Sequence, residues 1–259
     1  MAEPAADRLL DAPASGRTFC SARPARFGDL SPGGRLRLDA IARYVQDIAS
    51  DDTTDAGLEN DMAWVARRTA VELRTTPGFR EPLSLTTFCS GFGSRWAERR
   101  VSILGEAGAA IETVSLWVHL DADSGRPVPL PPDFHEIYGE AAAGRTVSAR
   151  LQHPGEVPAD AVRQPWALRF TDFDLLGHVN NAATWAMVEE AMIARRHLRP
   201  PLRAELEYRL PIEQGDQVEL ATVDHADGSL AIWVTEPESA ATAAAPRLYA
   251  TATVRVAPV

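Results

Sequence analysis

Apolar positions along this chain change period in a regular way, and they do so twice. Residues 17 to about 27 read as a first strand. From 37 to about 56, Leu38, Ile41, Ala42, Val45, Ile48 and Ala49 recur every three or four positions, which predicts an amphipathic helix. Strand-like segments follow at 63–76, 83–91, 96–105 and 110–120, separated by Pro77-Gly78, Glu106-Ala107-Gly108 and Asp123-Ser124-Gly125. Pro127, Pro129, Pro131 and Pro132 mark the exit from this unit. A short helix is expected over 133–143, and the chain on to residue 165 reads as linker.

The plan then repeats. A strand at 165–171 precedes a helix at 181–198 with Trp185, Val188, Met192 and Ile193 apolar, and strands follow near 203–212, 217–225, 230–235 and 248–256. Residues 239–246, rich in Ala and Thr, read as a mobile loop. Strand, long helix and antiparallel strands, twice over, is an α+β pattern. Two such sheets joined edge to edge give one continuous platform with both helices on the same side. The expected units are a weakly ordered start at 1–16, a first unit at 17–132, a linker at 133–163 and a second unit at 164–259.

The repetition reaches individual residues. The run 26–35 (RFGDLSPGGR) aligns without gaps on 169–178 (RFTDFDLLGH) at a constant offset of 143, keeping Arg, Phe, Asp and Gly. That period is too long for a solenoid and fits a duplicated domain. The polar residues have diverged: Asp174 faces Ser31, His178 faces Arg35, and Asn180 faces Arg37. Only the second copy holds groups suited to proton transfer, so one half is expected to be catalytic and the other structural.

That second copy gathers Asp174, Gly177, His178, Asn180 and Asn181 just before a helix. An acid and an imidazole at a helix N-terminus can activate water, while free N–H groups there favour a developing oxyanion. Asp174 and His178 are therefore the candidate catalytic pair, with hydrolysis of an ester or thioester as the chemistry. Asn180 and Asn181 read first as helix caps, with a second task in positioning water or the acyl carbonyl. Gly177, like Gly34, is expected to hold a backbone conformation closed to other residues. Asp172 is kept as Asp29 in the half without the chemistry, so a turn explains it better. Trp166, Phe173, Trp185 and Met187 could line an acyl tunnel, although apolar residues beside a helix are more often core.

Composition narrows the classes. The chain has 259 residues, 45% hydrophobic and 24% charged, and a net charge of −10, which argues against nucleic acid as a partner. Cys20 and Cys89 alone offer neither a disulfide framework nor a thiol metal site, and no histidine pair has zinc-ligand spacing. No metal or other cofactor is expected. The start carries Glu3, Asp7 and Asp11 without an apolar core, and no run reaches membrane-spanning length, so the expected location is cytoplasmic. Charge is uneven, however. Asp47, Asp51, Asp52, Asp55, Glu59 and Asp61 form an acidic block, and Arg195, Arg196, His197, Arg199 and Arg203 a basic one after the second helix. Such runs are usually solvated faces; the sharper reading makes Arg195, Arg196 and Arg199 a landing patch for an anionic carrier.

Several landmarks in order resemble the acyl-acyl-carrier-protein thioesterases of plants and bacteria. They are Trp64-Val65-Ala66-Arg67-Arg68, Thr87-Phe88-Cys89-Ser90, Arg99-Arg100, Ser115-Leu116-Trp117-Val118, Asp172-Phe173-Asp174, Gly177-His178-Val179-Asn180-Asn181 and Leu206-Glu207-Tyr208-Arg209. The resemblance implies a double hotdog fold and hydrolysis of the thioester linking a fatty acyl chain to the carrier's phosphopantetheine arm. It places Asp174 and His178 at the family's aspartate and histidine, and Asn180 and Asn181 at the pair that begins the helix. Two positions depart from the family pattern: Leu176 stands where an asparagine is common, and Leu210 where a glutamate often lies, with Glu213, Glu189 or Glu190 as possible substitutes. An acyl-coenzyme A thioesterase and a non-hydrolytic acyl-binding protein remain open alternatives, as do a monomer and a homodimer.

Overall fold

The computed structural model of the chain describes residues 11–58, 63–238 and 245–257. The first ten residues of the expected loose start, Glu59 and Asp61 of the acidic block, and most of the loop 239–246 lie outside these.

Ten strands form one antiparallel sheet. In chain order they are β1 (Phe19–Pro24), β2 (Ala63–Thr75), β3 (Pro82–Phe92), β4 (Trp96–Gly105), β5 (Ala110–Leu120), β6 (Val162–Trp166), β7 (Leu202–Tyr208), β8 (Val218–Asp224), β9 (Leu230–Thr235) and β10 (Leu248–Val256). Their order across the sheet is β1-β3-β4-β5-β2-β7-β10-β9-β8-β6, in which each half reads as the other reversed. The halves join where β2 pairs with β7, Val71 opposite Ala204 and Arg68 opposite Glu207. The edge-to-edge platform expected from the pattern is what forms. Both edge strands carry proline, Pro24 in β1 and Pro165 in β6, where a missing N–H does no harm to the ladder.

Helices α1 (Leu38–Asp55) and α3 (Asn181–Met192) pack side by side on one face. Their apolar stripes share one core with the inward side chains of both half-sheets, including Ile41, Val45, Ile48, Trp185, Met187 and Val188. α3 is shorter than its apolar spacing predicts. The Arg195 guanidinium donates to the Ala191 carbonyl at 2.5 Å, satisfying one of the last orphan acceptors, and the chain closes in turns from Met192 to Leu198. The strand expected at 165–171 likewise starts and stops earlier, because Phe170–Asp172 turns into a short 3-10 segment.

The short helix expected at 133–143 forms within the linker. α2 (Pro132–Ala142) packs Phe134 and Tyr138 against Cys89 and Ala97 at the end of the first half. The chain then runs over the outer face of the sheet, where the Trp96 and Trp233 indole N–H groups hold Val147 and Pro154 carbonyls at 2.8 and 3.0 Å. The acidic block is also less solvated than expected. Asp52 is buried, taking Arg17, Arg99 and Tyr138 at 2.7, 2.5 and 2.9 Å, while Asp47 and Asp55 pair with Arg23 and Arg17.

Candidate active site

The two copies of the motif fold alike. Each opens with a 3-10 turn, Phe27–Asp29 or Phe170–Asp172, whose aspartate accepts the backbone N–H three residues earlier, at 2.9 Å for Asp29 and 2.8 Å for Asp172. A tight loop follows, closed by Ser31 N–H to Arg35 carbonyl at 2.8 Å in one copy and Asp174 N–H to His178 carbonyl at 2.9 Å in the other. Gly34 and Gly177 turn both loops at φ 81° and 78°, as expected of positions that a Cβ would strain. Arg37 N–H and Asn180 N–H then return to the Asp29 and Asp172 carbonyls and start the helices.

On this shared backbone the second copy builds a polar site. Asn180 is the N-cap of α3: its Oδ1 accepts the Ala182 N–H at 2.8 Å while its Nδ2 donates to Asp174 Oδ2 at 3.4 Å. The Leu176 N–H donates to Asp174 Oδ1 at 3.0 Å. One carboxamide thus ties the carboxylate to the helix N-terminus, and both carboxylate oxygens have a donor. Leu176 serves through its backbone and turns its side chain to solvent, so this departure from the family pattern leaves Asp174 with a donor at that position. His178 and Asp174 meet through their backbones; among the described residues no hydrogen bond joins their side chains. Backbone pairing sets His178 opposite Glu213, which puts Glu213 beside the site, whereas Glu189 is engaged elsewhere and Glu190 is exposed.

The first copy is closed by charge. Arg35 grips Glu189 of α3 through both terminal nitrogens at 2.8 and 2.5 Å, and Glu189 Oε1 also accepts the Leu38 N–H, the first of α1, at 2.5 Å. Asp29 is held by the Tyr44 hydroxyl at 2.6 Å and by Arg43 at 3.3 Å. Burial works against its charge, but these donors and the Arg26 N–H outweigh burial and keep its pKa below the usual carboxylate range.

A cavity among the described residues lies in the first half. It measures about 370 Å³ and lies between α1, α2 and the first half-sheet, walled by Trp64, Trp117 and Phe134 with Ala49, Ala97 and Arg99. A small space of about 10 Å³ shares Gln46 and Trp117 with it, and Asn181, Trp185 and Tyr208 are among the other residues lining the small one. Tyr208 donates to the Asn181 carbonyl at 3.3 Å, and burial pushes its own pKa far up, so it stays a neutral donor. Trp185 and Met187 are core, and Trp166 and Phe173 pack against it; of the four only Trp185 lines either space, and the larger cavity is lined from α1, α2 and β2 to β5. Single-residue patterns could not reveal this, because the cavity depends on how helices and sheet pack.

Arg195, Arg196 and Arg199 are not brought to the motif. They follow the C-terminus of α3, a helix length of roughly 18 Å from Asn181. Arg195 is bound to Asp224 at 2.6 and 2.8 Å and Arg199 to the Leu198 carbonyl at 3.1 Å. Cys89 donates its thiol to the Gly91 carbonyl, and burial pushes that thiol up to about 11, which removes it as a nucleophile at neutral pH. His153, Glu205 and Glu207 cluster on the outer face within metal-binding reach of one another. Arg68, Arg203 and Arg209 already face these carboxylates at 3.8, 3.7 and 3.4 Å, so the cluster works as an ion-pair network that holds the linker down. Among the described residues no helix is long and apolar enough to cross a membrane.

Solved structures of similar shape include a putative oleoyl thioesterase from Lactobacillus plantarum, at TM-score 0.74 and 18% identity over 94% of this chain and 96% of that one. The 12:0-ACP thioesterase from Umbellularia californica gives TM-score 0.73 at 19% identity, over 92% and 96%. The likeness in shape to these two structures shows the tandem hotdog fold. In sequence, an uncharacterised protein of Mycobacterium tuberculosis is 30% identical over 220 residues, covering 85% of this chain and 88% of its own. The acyl-ACP thioesterase N-terminal domain matches residues 16–138 and the C-terminal domain residues 155–243. With both domains present in order on one sheet, the chain belongs to the acyl-ACP thioesterase family and is a thioester hydrolase.

Proposed function

We propose that the protein hydrolyses fatty acyl thioesters of acyl carrier protein at Asp174, with the acyl chain lodged in the cavity of the first half. The observation that carries this reading is the Asp174 carboxylate, held by Asn180 and the Leu176 N–H beside a helix N-terminus whose first residue, Asn181, lines a small space sharing Gln46 and Trp117 with that cavity. Asp174 accepts a proton from water as the water oxygen bonds to the acyl carbon. The carbonyl oxygen gains negative charge near the first N–H groups of α3, where the helix dipole favours it. The carbon–sulfur bond then breaks, and the proton held by Asp174, passed directly or through His178, goes to the departing thiolate. Fatty acid and thiol-bearing carrier leave.

The test is thiol release from acyl-carrier-protein and acyl-coenzyme A substrates of medium and long chain, with wild type beside Asp174→Ala. Turnover should fall by at least about 10³-fold in the variant, with thermal melting nearly unchanged. The better substrate identifies the donor. Turnover surviving the substitution would remove Asp174 from the mechanism, and a folded wild type that releases no thiol would make the protein an acyl binder.

A further inference from the structure

The two ends of the helix pair differ in a group that neither motif contains. At the first end Glu189 reaches across from α3, and its Oε1 takes the N–H of Leu38 while Arg35 neutralises it. The 143-residue offset that carries Arg35 to His178 carries Leu38 to Asn181 and relates Glu189 to Gln46 on α1. The equivalent residues share a surround: Gln46 and Asn181 line the same small space. Among the described residues neither the Asn181 N–H nor the Gln46 carboxamide has a hydrogen-bond partner. The space of about 10 Å³ that both line is of the order of one water, which is also the size of a carbonyl oxygen.

From this we infer that Gln46 is a further catalytic residue, whose Nε2–H joins the Asn181 N–H in binding the thioester carbonyl oxygen. This rests on the hydrolytic reading above and deepens it. Glu189 marks where such an oxygen sits by placing its own there at the opposite end. A carboxylate in that position accepts only and competes with a substrate oxygen for the helix N–H. A carboxamide donates, so the Glu-to-Gln difference between the two ends turns a plug into a binding group. As water adds to the acyl carbon, the carbonyl π pair moves onto oxygen and the hydrogen bonds from both N–H groups to that oxygen strengthen. When the carbon–sulfur bond breaks, that pair returns to re-form the carbonyl. Because Gln46 also borders the larger cavity, the same side chain sits where the acyl tail must turn from the site into its slot.

Two variants test it beside wild type and Asp174→Ala, with kcat, KM and melting temperature measured on an acyl-carrier-protein substrate from about pH 5 to 9. Gln46→Ala should lower kcat about 10²- to 10³-fold, the usual effect of losing one oxyanion donor, with KM changed only a few-fold. Gln46→Glu keeps the shape, so it still reports should the alanine variant melt early. Its carboxylate should plug the Asn181 N–H as Glu189 plugs Leu38, lowering kcat at least as far at pH 8 and raising the melting temperature. The ratio of its kcat to wild type should climb as pH falls and the neutral acid becomes a donor, a response that a packing role would not produce. If wild type turns over and Asp174→Ala is dead, yet both Gln46 variants stay within twofold of wild type, the inference is overturned and the hydrolytic reading stands. A wild type without turnover overturns both.

Discussion

The Ser31–Arg35 end and the Asp174–His178 end of this molecule share a backbone almost hydrogen bond for hydrogen bond and share almost no chemistry. Both have the 3-10 turn, the aspartate that closes it, the left-handed glycine and the return bond into a helix. What differs is how each meets the exposed N–H groups of its helix. The first end satisfies Leu38 with Glu189 and balances that charge with Arg35. The second end uses Asn180 to cap Ala182 and to orient Asp174, and leaves the Asn181 N–H without a partner among the described residues, at a residue that lines a small space. A helix terminus is an anion site by construction. A duplicated fold can therefore spend one terminus on stability and keep the other for substrate.

The sharpest break between the ends is the effect of Asp174→Ala on turnover described above; Ser31, its counterpart, has no proton-transfer role to lose. Next in size is Glu189→Ala. It removes the cap of α1 and strands Arg35, so unfolding in urea should show a loss of about 2–3 kcal/mol while kcat on the same substrate holds. The glycines give a finer contrast. A Cβ at Gly34 or Gly177 meets nothing within 4 Å, so alanine at either site costs only the left-handed backbone, about 1 kcal/mol. Equal melting shifts with a kcat loss confined to Gly177→Ala would show that the loop's shape matters chemically at one end alone; equal kcat for both would show that the Asp174 loop tolerates distortion.

The smallest effect is acid sensitivity at the first end. The Asp29 carboxylate has a pKa below its unfolded value of about 3.9, so its stabilisation is present above that pH and is lost as pH falls through the folded value. Melting temperature followed from pH 6 downward should drop at the acid end, and Asp29→Asn should flatten that drop. An unchanged slope in the variant would mean that other carboxylates, Asp39 among them, carry the acid limb.

Much of this was legible in the chain. The 143-residue offset exposed the duplication, the apolar periods located both long helices and nearly every strand, and the loss of Asp and His at Ser31 and Arg35 separated the two ends. The length of α3 was overread because Ile193 and Leu198 continue its apolar spacing, while the cap that ends the helix is a side chain three residues beyond it, Arg195. The cavity proposed for the acyl chain lies in the first half, away from most of the apolar residues near the motif. That placement depends on α1 and α3 packing together, a long-range fact with no local pattern. The tie between Arg35 and Glu189 spans 154 positions and is equally invisible to periodicity, although the same offset that aligned the motifs relates Glu189 to Gln46.

The Glu189 plug also bears on how many guests the molecule takes. Two equal hotdog units related by a twofold axis would present two equivalent sites, and ligands at the two could influence each other through the paired helices. With one terminus filled by the chain's own carboxylate, the proposed function predicts a single acyl group per polypeptide and saturation along a simple hyperbola.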